Sequence, residues 1–302
     1  MRQRGYPVLV AGAVNTDLVA TMRRAPRAGE TVVGTSFSIH GGGKAANQAV
    51  ALARSGTRVA LVAATGTDDF GRARREDLLR DGVAVDWVME DSRKPSGVAV
   101  IFVEDGGENR IANVLGATES VDTPYVERAL ESVRPSWLLA TNELPQGALH
   151  ALIRAAKISG SMVVLNATPD PVGTLDILDA VDILIVNEVE AAVLLGEAHV
   201  EDAAAALIGL RDRGIGTVVL TVGKNGALAT DGRAVIHHRP MVVPVVDTTG
   251  AGDAFCGAFV SEMARGASLD AAVAYGVRAG ALSVTRAGAQ SSMPTREEIS
   301  RH

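Results

Sequence analysis

The feature that most constrains this chain is an alternation. From about residue 120 onward, short apolar runs take turns with stretches of helical spacing. "VERALESV" and "QGALHALIRAAKISG" have helical spacing, while "SWLLAT", "MVVLNAT" and "VDILIVN" read as strands. Helices are expected over 188–195 and 201–213, and a strand over 217–223. A hairpin from "NGALATDG" and "AVIHHRP" follows, then two closing helices, one from about Gly250 and one from about Leu269. Runs that are apolar at every position suit strands covered on both faces. Their alternation with helices over such a length predicts an α/β protein, a parallel sheet with helices on either side in three layers. The first part of the chain begins the same way, with buried strands at "PVLVAGA" (7–13) and "RVALVAAT" (58–65). Helices are expected at 44–56, stopping at Gly56, and over 68–81. Two segments break the rhythm: "TVVGTSFSI" (31–39), which is β-branched and partly alternating, and 96–117, two strands around the hairpin signal "EDGGEN". They predict a small inserted β-strand lid on a single domain spanning 1–302.

With 302 residues, 47% of them apolar, the chain can bury a full-sized core. A net charge of −6 and the lack of a basic run argue against nucleic acid as a partner. No apolar run approaches the ~20 residues of a membrane helix, and the start reads as a strand, not a signal peptide. The lone Cys256 excludes an intrachain disulfide and fits a reducing compartment, so a cytoplasmic address is expected.

In open α/β sheets, ligands bind beyond the carboxyl ends of the strands. Polar residues collect at such ends here: Asn15 and Asp17, Asn142 and Glu143, Asn166, Asn187 and Glu188, and Thr221. Two glycine clusters, "GGGKAANQAVALARSG" (41–56) and "DTTGAGDAFCGAF" (247–259), accompany them. Neither is a P-loop: Ala45 follows Gly43-Lys44 where a hydroxyl residue is required, and Ser38 stands where the first glycine should be. Neither is a dinucleotide fingerprint, because Phe255 replaces the third glycine and the first strand offers only Gly12. A glycine turn opening a helix suits phosphate, yet Asp253 follows at once. Read locally, Asp253 is equally a helix-capping residue, Asn187 with Glu190 a capping box, and "KNG" a β-turn.

The pair of glycine clusters resembles the two signature motifs of the ribokinase-like (PfkB) carbohydrate kinase family. The resemblance extends through "GAVNTDLV", "PRAGETVVG", "GVAVIFVEDGGEN", "VNEVEA", "LTVGKNGA" and "TRAGAQSSMP". It implies an ATP-dependent sugar kinase, and "NTD", "GGGKAANQA" and "GENR" favour D-ribose as acceptor and ribose 5-phosphate as product. Deoxyribose, fructose or a nucleoside such as pseudouridine stay open as acceptors, as does a sugar-binding regulator without catalysis. The resemblance makes Asp253 the base and the turn Gly250, Ala251 and Gly252 the anion hole. It assigns the sugar frame to Asn15, Asp17, Gly42, Gly43, Lys44, Asn47 and Glu143. It gives the nucleotide to Asn187, Thr221, Val222, Gly223, Lys224, Asn225, Gly226 and Gly252. Glu190 would act through water on Mg²⁺, and a K⁺ site is implied at Asp247, Thr249, Ser283, Arg286, Gly288 and Ser292, mostly through backbone carbonyls. A homodimer through the lid is also implied. Two departures from the family pattern are visible: Ala45 where glycine is common, and Val277, near the adenine, where His or Asn is frequent. His237, His238 and Cys256 receive no functional role.

Overall fold

The computed structural model describes residues 5–106 and 108–301; Gly107, in the "EDGGEN" turn, lies outside them, as do 1–4 and 302. In chain order the elements begin with β1 (Val8–Ala11), β2 (Asn15–Met22), β3 (Ser36–Gly42), α1 (Lys44–Arg54), β4 (Val59–Gly66) and α2 (Asp69–Arg80). Next come β5 (Val83–Ala84), β6 (Val88–Asp91), β7 (Gly97–Glu104), β8 (Asn109–Val114), α3 (Thr123–Val133), β9 (Trp137–Thr141), α4 (Gln146–Ile158) and β10 (Met162–Asn166). The chain closes with β11 (Ile183–Asn187), α5 (Glu188–Leu195), α6 (Ala203–Arg211), β12 (Thr217–Thr221), β13 (Ala227–Thr230), β14 (Val235–His238), α7 (Ala251–Ala264), α8 (Leu269–Ser283) and α9 (Arg296–Ser300).

Among the described residues the strands form a ten-stranded and a four-stranded sheet. The large one runs β14-β13-β12-β11-β10-β9-β1-β4-β5, with β6 also on β4; it is parallel except where β13 and β14 turn back. In β1 every residue is buried, and its side chains alternate between two cores. Val8 and Val10 pack with α1, α7 and α8, whereas Leu9 and Ala11 pack with α3, α4, α5 and α6. That is the three-layer α/β architecture expected of continuous apolar strands. No helix among the described residues is long and apolar enough to cross a membrane.

Chain order reverses at β1, which pairs with β4 on one side and β9 on the other. Beyond the carboxyl ends of such a pair of strands a crevice opens, and the chain places Asn15, Gly43 and Glu143 there.

The small sheet runs β3-β2-β7-β8. It differs from the expected segments in two ways. Residues 31–35 lie outside the strand, which runs instead over 36–42, in register with β2 from Thr21 opposite Ser36 to Asn15 opposite Gly42. Residues 15–22, read in the sequence only as part of a motif, supply a central strand. The short strands β5 and β6 and the helix α9 were also absent from the sequence reading.

Candidate active site

Helix α1 starts at Gly43, whose φ of 89° is costly for any other residue, and a Cβ there would stand 2.9 Å from the Asn15 amide nitrogen. Gly43 has no side chain to cap the helix, so a carboxylate from another strand does it. Glu143, just past β9, accepts from the amides of Lys44 (3.0 Å) and Ala45 (3.1 Å). It also accepts from the amide of Ala13 (3.0 Å) and the hydroxyl of Thr141 (2.8 Å). A buried carboxylate with four donors at a helix N-terminus is a structural clamp. It fixes the loop after β1 to the start of α1, so Glu143 shapes the wall along which the family resemblance implies that the sugar lies.

Helix α7 lies against α1 because Gly257 lacks a side chain; a Cβ there would come within 2.5 Å of the Ala51 Cβ and 2.6 Å of the Gln48 carbonyl oxygen. This approach brings the first turn of α7 onto the first turn of α1. Asn47 Nδ2 donates to Asp253 Oδ2 and Gln48 Nε2 to Asp253 Oδ1, each at 2.9 Å, and Gln48 Nε2 also reaches Asn166 Oδ1 at 2.9 Å. Gln48 escaped the sequence reading. Its neighbour Asn47 is singled out by the family resemblance, and nothing in the local sequence sets Gln48 apart. Asn47 Oδ1, Gln48 Oε1 and Asn15 Oδ1 are buried without a protein partner, so acceptors are collected where a hydroxyl-rich ligand would satisfy them.

Burial pushes the Asp253 carboxyl above its ordinary range, and the Lys44 ammonium with the bonds from Asn47 and Gln48 opposes this. Asp17 is raised to about 6 by burial, then by the charges of Asp253 and Glu143, against the pull of Arg74. Burial disfavours the Lys44 ammonium, but the charges of Asp253, Glu143 and Glu190 outweigh it and raise its pKa. Three carboxylates around one buried ammonium make a strongly charged cleft. The Cβ that Gly42 lacks would collide with the carboxylate of Asp17, so Gly42 is what lets β3 pass so near. Asn15 Nδ2 donates to Asn113 Oδ1 of β8 at 3.1 Å, a partner the sequence reading did not pick out.

Two adjoining cavities complete the site. One, of about 260 Å³, is lined by Lys44, Asn166, Thr168, Glu190, Asp253 and the turn 250–252. The other, a crevice of about 750 Å³, runs past Thr221, Gly223, Lys224 and Gly226. They share Asn187, Thr221, Thr248, Ala251 and Gly252. Two residues of the nucleotide motif do not line the crevice: Val222 packs in the core, and the Asn225 carbonyl accepts from His237.

Gly250 has φ 75° and starts α7. The Ala251 amide turns back to the Thr248 carbonyl and the Ala254 amide to Gly250. The first-turn N–H groups that the helix leaves for an anion are therefore those of Gly252 and Asp253, while the Ala251 amide is engaged within the turn.

Asn187 and Glu190 form a capping box on α5. Glu190 nevertheless lines the smaller cavity, and burial raises its carboxyl despite the bonds from Asn187 and Thr168. Asp247 accepts from the amide (2.9 Å) and hydroxyl (2.7 Å) of Thr249 and from the amide of Gly288 (2.8 Å). These bonds overcome burial and hold its carboxyl below the usual range. They also tie the turn before α7 to the loop after α8. The Ser283 and Ser292 hydroxyls donate to the carbonyls of Gly280 and Ala289, and the Arg286 guanidinium pairs with Glu298.

Residues 7–296 match the model of the pfkB family carbohydrate kinases. The ribokinase of Haemophilus influenzae is 35% identical over 292 residues, covering 96% of this chain and 95% of that one. The crystal structure of ribokinase from Thermotoga maritima superposes with a TM-score of 0.89 at 31% identity, covering 98% of both chains. A ribokinase of Arabidopsis thaliana, solved with ribose and ATP, gives 0.86 at 29% identity, again with 98% of each chain covered. A carboxylate lining the smaller of two adjoining cavities, one residue past a glycine turn that opens a helix, thus sits in a chain that belongs to the pfkB family of carbohydrate kinases.

Proposed function

We propose that this chain is an ATP-dependent sugar kinase that phosphorylates D-ribose to D-ribose 5-phosphate. The observation that carries this reading is the position of Asp253. Its carboxylate is held by Asn47 and Gln48 in the smaller cavity, one residue beyond the turn that both cavities share. A sugar hydroxyl beside Asp253 would face a γ-phosphate lying on the N–H groups of Gly252 and Asp253. In-line transfer needs little else: a base to accept the hydroxyl proton, donors for the phosphoryl charge, and positioning. Lys44, buried among carboxylates, adds positive charge on the same side. Asn15, Asp17, Gly42, Gly43 and Asn47 frame the sugar, and the Asn187, Thr221 and 223–226 side takes the nucleotide. Relatives bearing the name ribokinase, one of them solved with ribose and ATP, support ribose as the acceptor.

Among the described residues, no cluster of three or more His, Cys, Asp or Glu stands ready to hold a metal alone. Glu190 fits the water-mediated role that Mg²⁺ allows, since that ion keeps much of its hydration shell. A bound Mg²⁺ would neutralise charge on the transferring phosphates. Potassium belongs to the same reading. The Asp247 bonds gather Thr249 and Gly288 beside the turn, so a cation held there would stiffen the anion site.

The test is ADP release with ATP–Mg²⁺ across ribose, deoxyribose, fructose and pseudouridine, with and without K⁺. Ribose should give the highest kcat/KM and K⁺ should raise it. Turnover with a nucleoside alone would refute ribose as acceptor, and rates indifferent to K⁺ would refute the cation site.

The four-stranded sheet supports the lid and the homodimer. Its Asn15, Asp17 and Asn113 face the site, and Phe37, Ile39 and Val114 are exposed on its other face, with β3 and β8 as open edges. Exposed apolar patches and unpaired edges favour association. Sedimentation should give twice the 31.2 kDa of the chain, and Phe37→Glu should give monomers. A monomeric wild type would contradict the dimer.

A further inference from the structure

The larger crevice is chemically lopsided. Its polar lining side chains, Asn187, Glu188, Thr221, Lys224 and Thr248, gather at the ends of β11 and β12 and in the turn before α7. That is the end shared with the smaller cavity, where phosphates would lie. Elsewhere one wall is a stripe along α8 and its C-cap: Val277, Gly280, Ala281 and Val284, spaced i, i+3, i+4 and i+7. The facing wall is the segment 240–243 with Val245, in which Val242 and Val245 are exposed at the mouth. No side chain on either wall carries an N–H, a hydroxyl or a carbonyl group, and Pro240 lacks a backbone N–H as well.

Burial of an aromatic base between apolar walls is favourable whichever base it is. Adenine and guanine differ in the donors and acceptors of one edge. A site rejects the wrong edge only when its own buried polar groups would be left unpaired. Neither wall has a side-chain group of that kind to strand.

We propose that this crevice holds the purine of its nucleotide by shape and apolar burial without reading its polar edge, so that GTP and ITP serve as phosphoryl donors alongside ATP. The inference rests on the kinase reading above and adds the donor class. The chemistry is unchanged: the γ-phosphorus bonds to the sugar hydroxyl oxygen, its bond to the β-phosphate oxygen breaks, and the hydroxyl proton passes to Asp253. The nucleoside diphosphate leaves. Val277 is the specificity-determining position, because it stands mid-stripe on α8, where a polar side chain would meet the base.

The experiment compares kcat/KM for ATP, GTP and ITP at saturating ribose, alongside calorimetric binding of ADP, GDP and IDP, which needs no turnover. The three donors should fall within about 10-fold of one another, and so should the three diphosphates. Val277→Asn should shift the ATP-to-GTP ratio about 10-fold toward ATP, since an amide pairs bidentately with the adenine edge. A wild-type preference for adenine beyond about 10-fold in both turnover and binding would overturn the proposal. An unchanged ratio in Val277→Asn would overturn the role of Val277. Absence of phosphorylation with every donor would instead strike the kinase reading, while the diphosphate affinities would still decide the question of the base.

Discussion

Asp253→Asn is expected to lower kcat by about 10²–10⁴-fold, the usual worth of a positioned general base, while leaving the fold intact. The substitution keeps the shape and removes the proton acceptor. It sets a new amide against Asn47 Nδ2, but Asn47 Oδ1 has no protein partner, so a flip of that side chain restores the bond. Affinity for ribose and ATP should therefore change only a few-fold by calorimetry, and the loss should appear in kcat. Near-normal turnover would remove Asp253 from the chemistry. The wild-type pH profile follows from the same cluster. Asp253 and Asp17 are both raised, Asp17 to about 6, and they act ionised. Activity is thus present above the raised values and lost as pH falls through about 6, with apparent pKa values that belong to the group as a whole. Stability runs the other way. A carboxyl whose folded-state pKa is raised binds its proton in the folded chain first. Its contribution to stability therefore declines as pH rises from about 4 through 6, and the site holds its base ready at some cost to the fold.

Glu143→Ala is expected to destabilise the protein by roughly 3 kcal/mol, because it strands three backbone N–H groups and a hydroxyl. The groups are those of Ala13, Lys44, Ala45 and Thr141. A drop of several degrees in Tm should accompany it, together with a loss of ribose affinity, since Lys44 and Asn47 ride on the helix that Glu143 anchors. Glu143→Gln should lie between, keeping one acceptor oxygen and opposing a donor to the others. If Tm of the Ala variant moved by only about 1 °C while ribose affinity collapsed, Glu143 would be a sugar ligand and not a clamp.

The large sheet was legible because its strands are apolar on both faces and its helices alternate with them; α5 falls on 188–195 as its capping-box residues indicate. Strand β2 was not legible, for a physical reason. Its site-facing positions are Asn15 and Asp17 and its outward ones Leu18 and Ala20, the reverse of the usual inward-apolar alternation. Strand β3 was placed too early because the β-branched "TVV" invites a strand, yet Val33 is exposed and the partner strand ends at Met22. The short α9 carries a capping box of Thr295 and Glu298, a signal that is present in the sequence but too brief to predict a helix of five residues on its own. At the site, the motifs point to Asp253, Asn47 and the glycine turn, which the fold brings together. The Glu143 clamp joins residues 130 and 99 positions apart, and Gln48 meets Asp253 across 205. Contacts at that range depend on how α1 and α7 pack, and the small residue that sets this, Gly257, looks in the sequence like any other helix glycine.

The central claim is that Asp253 and its cavity serve transfer of a phosphoryl group to ribose. The direct measurement is to incubate the protein with ATP, Mg²⁺ and D-ribose and to identify the product by ³¹P NMR and mass spectrometry, beside the Asp253→Asn variant. Ribose 5-phosphate should form in step with ADP with the wild type and almost none with the variant. ADP released without a sugar phosphate, or equal yields from both proteins, would contradict it.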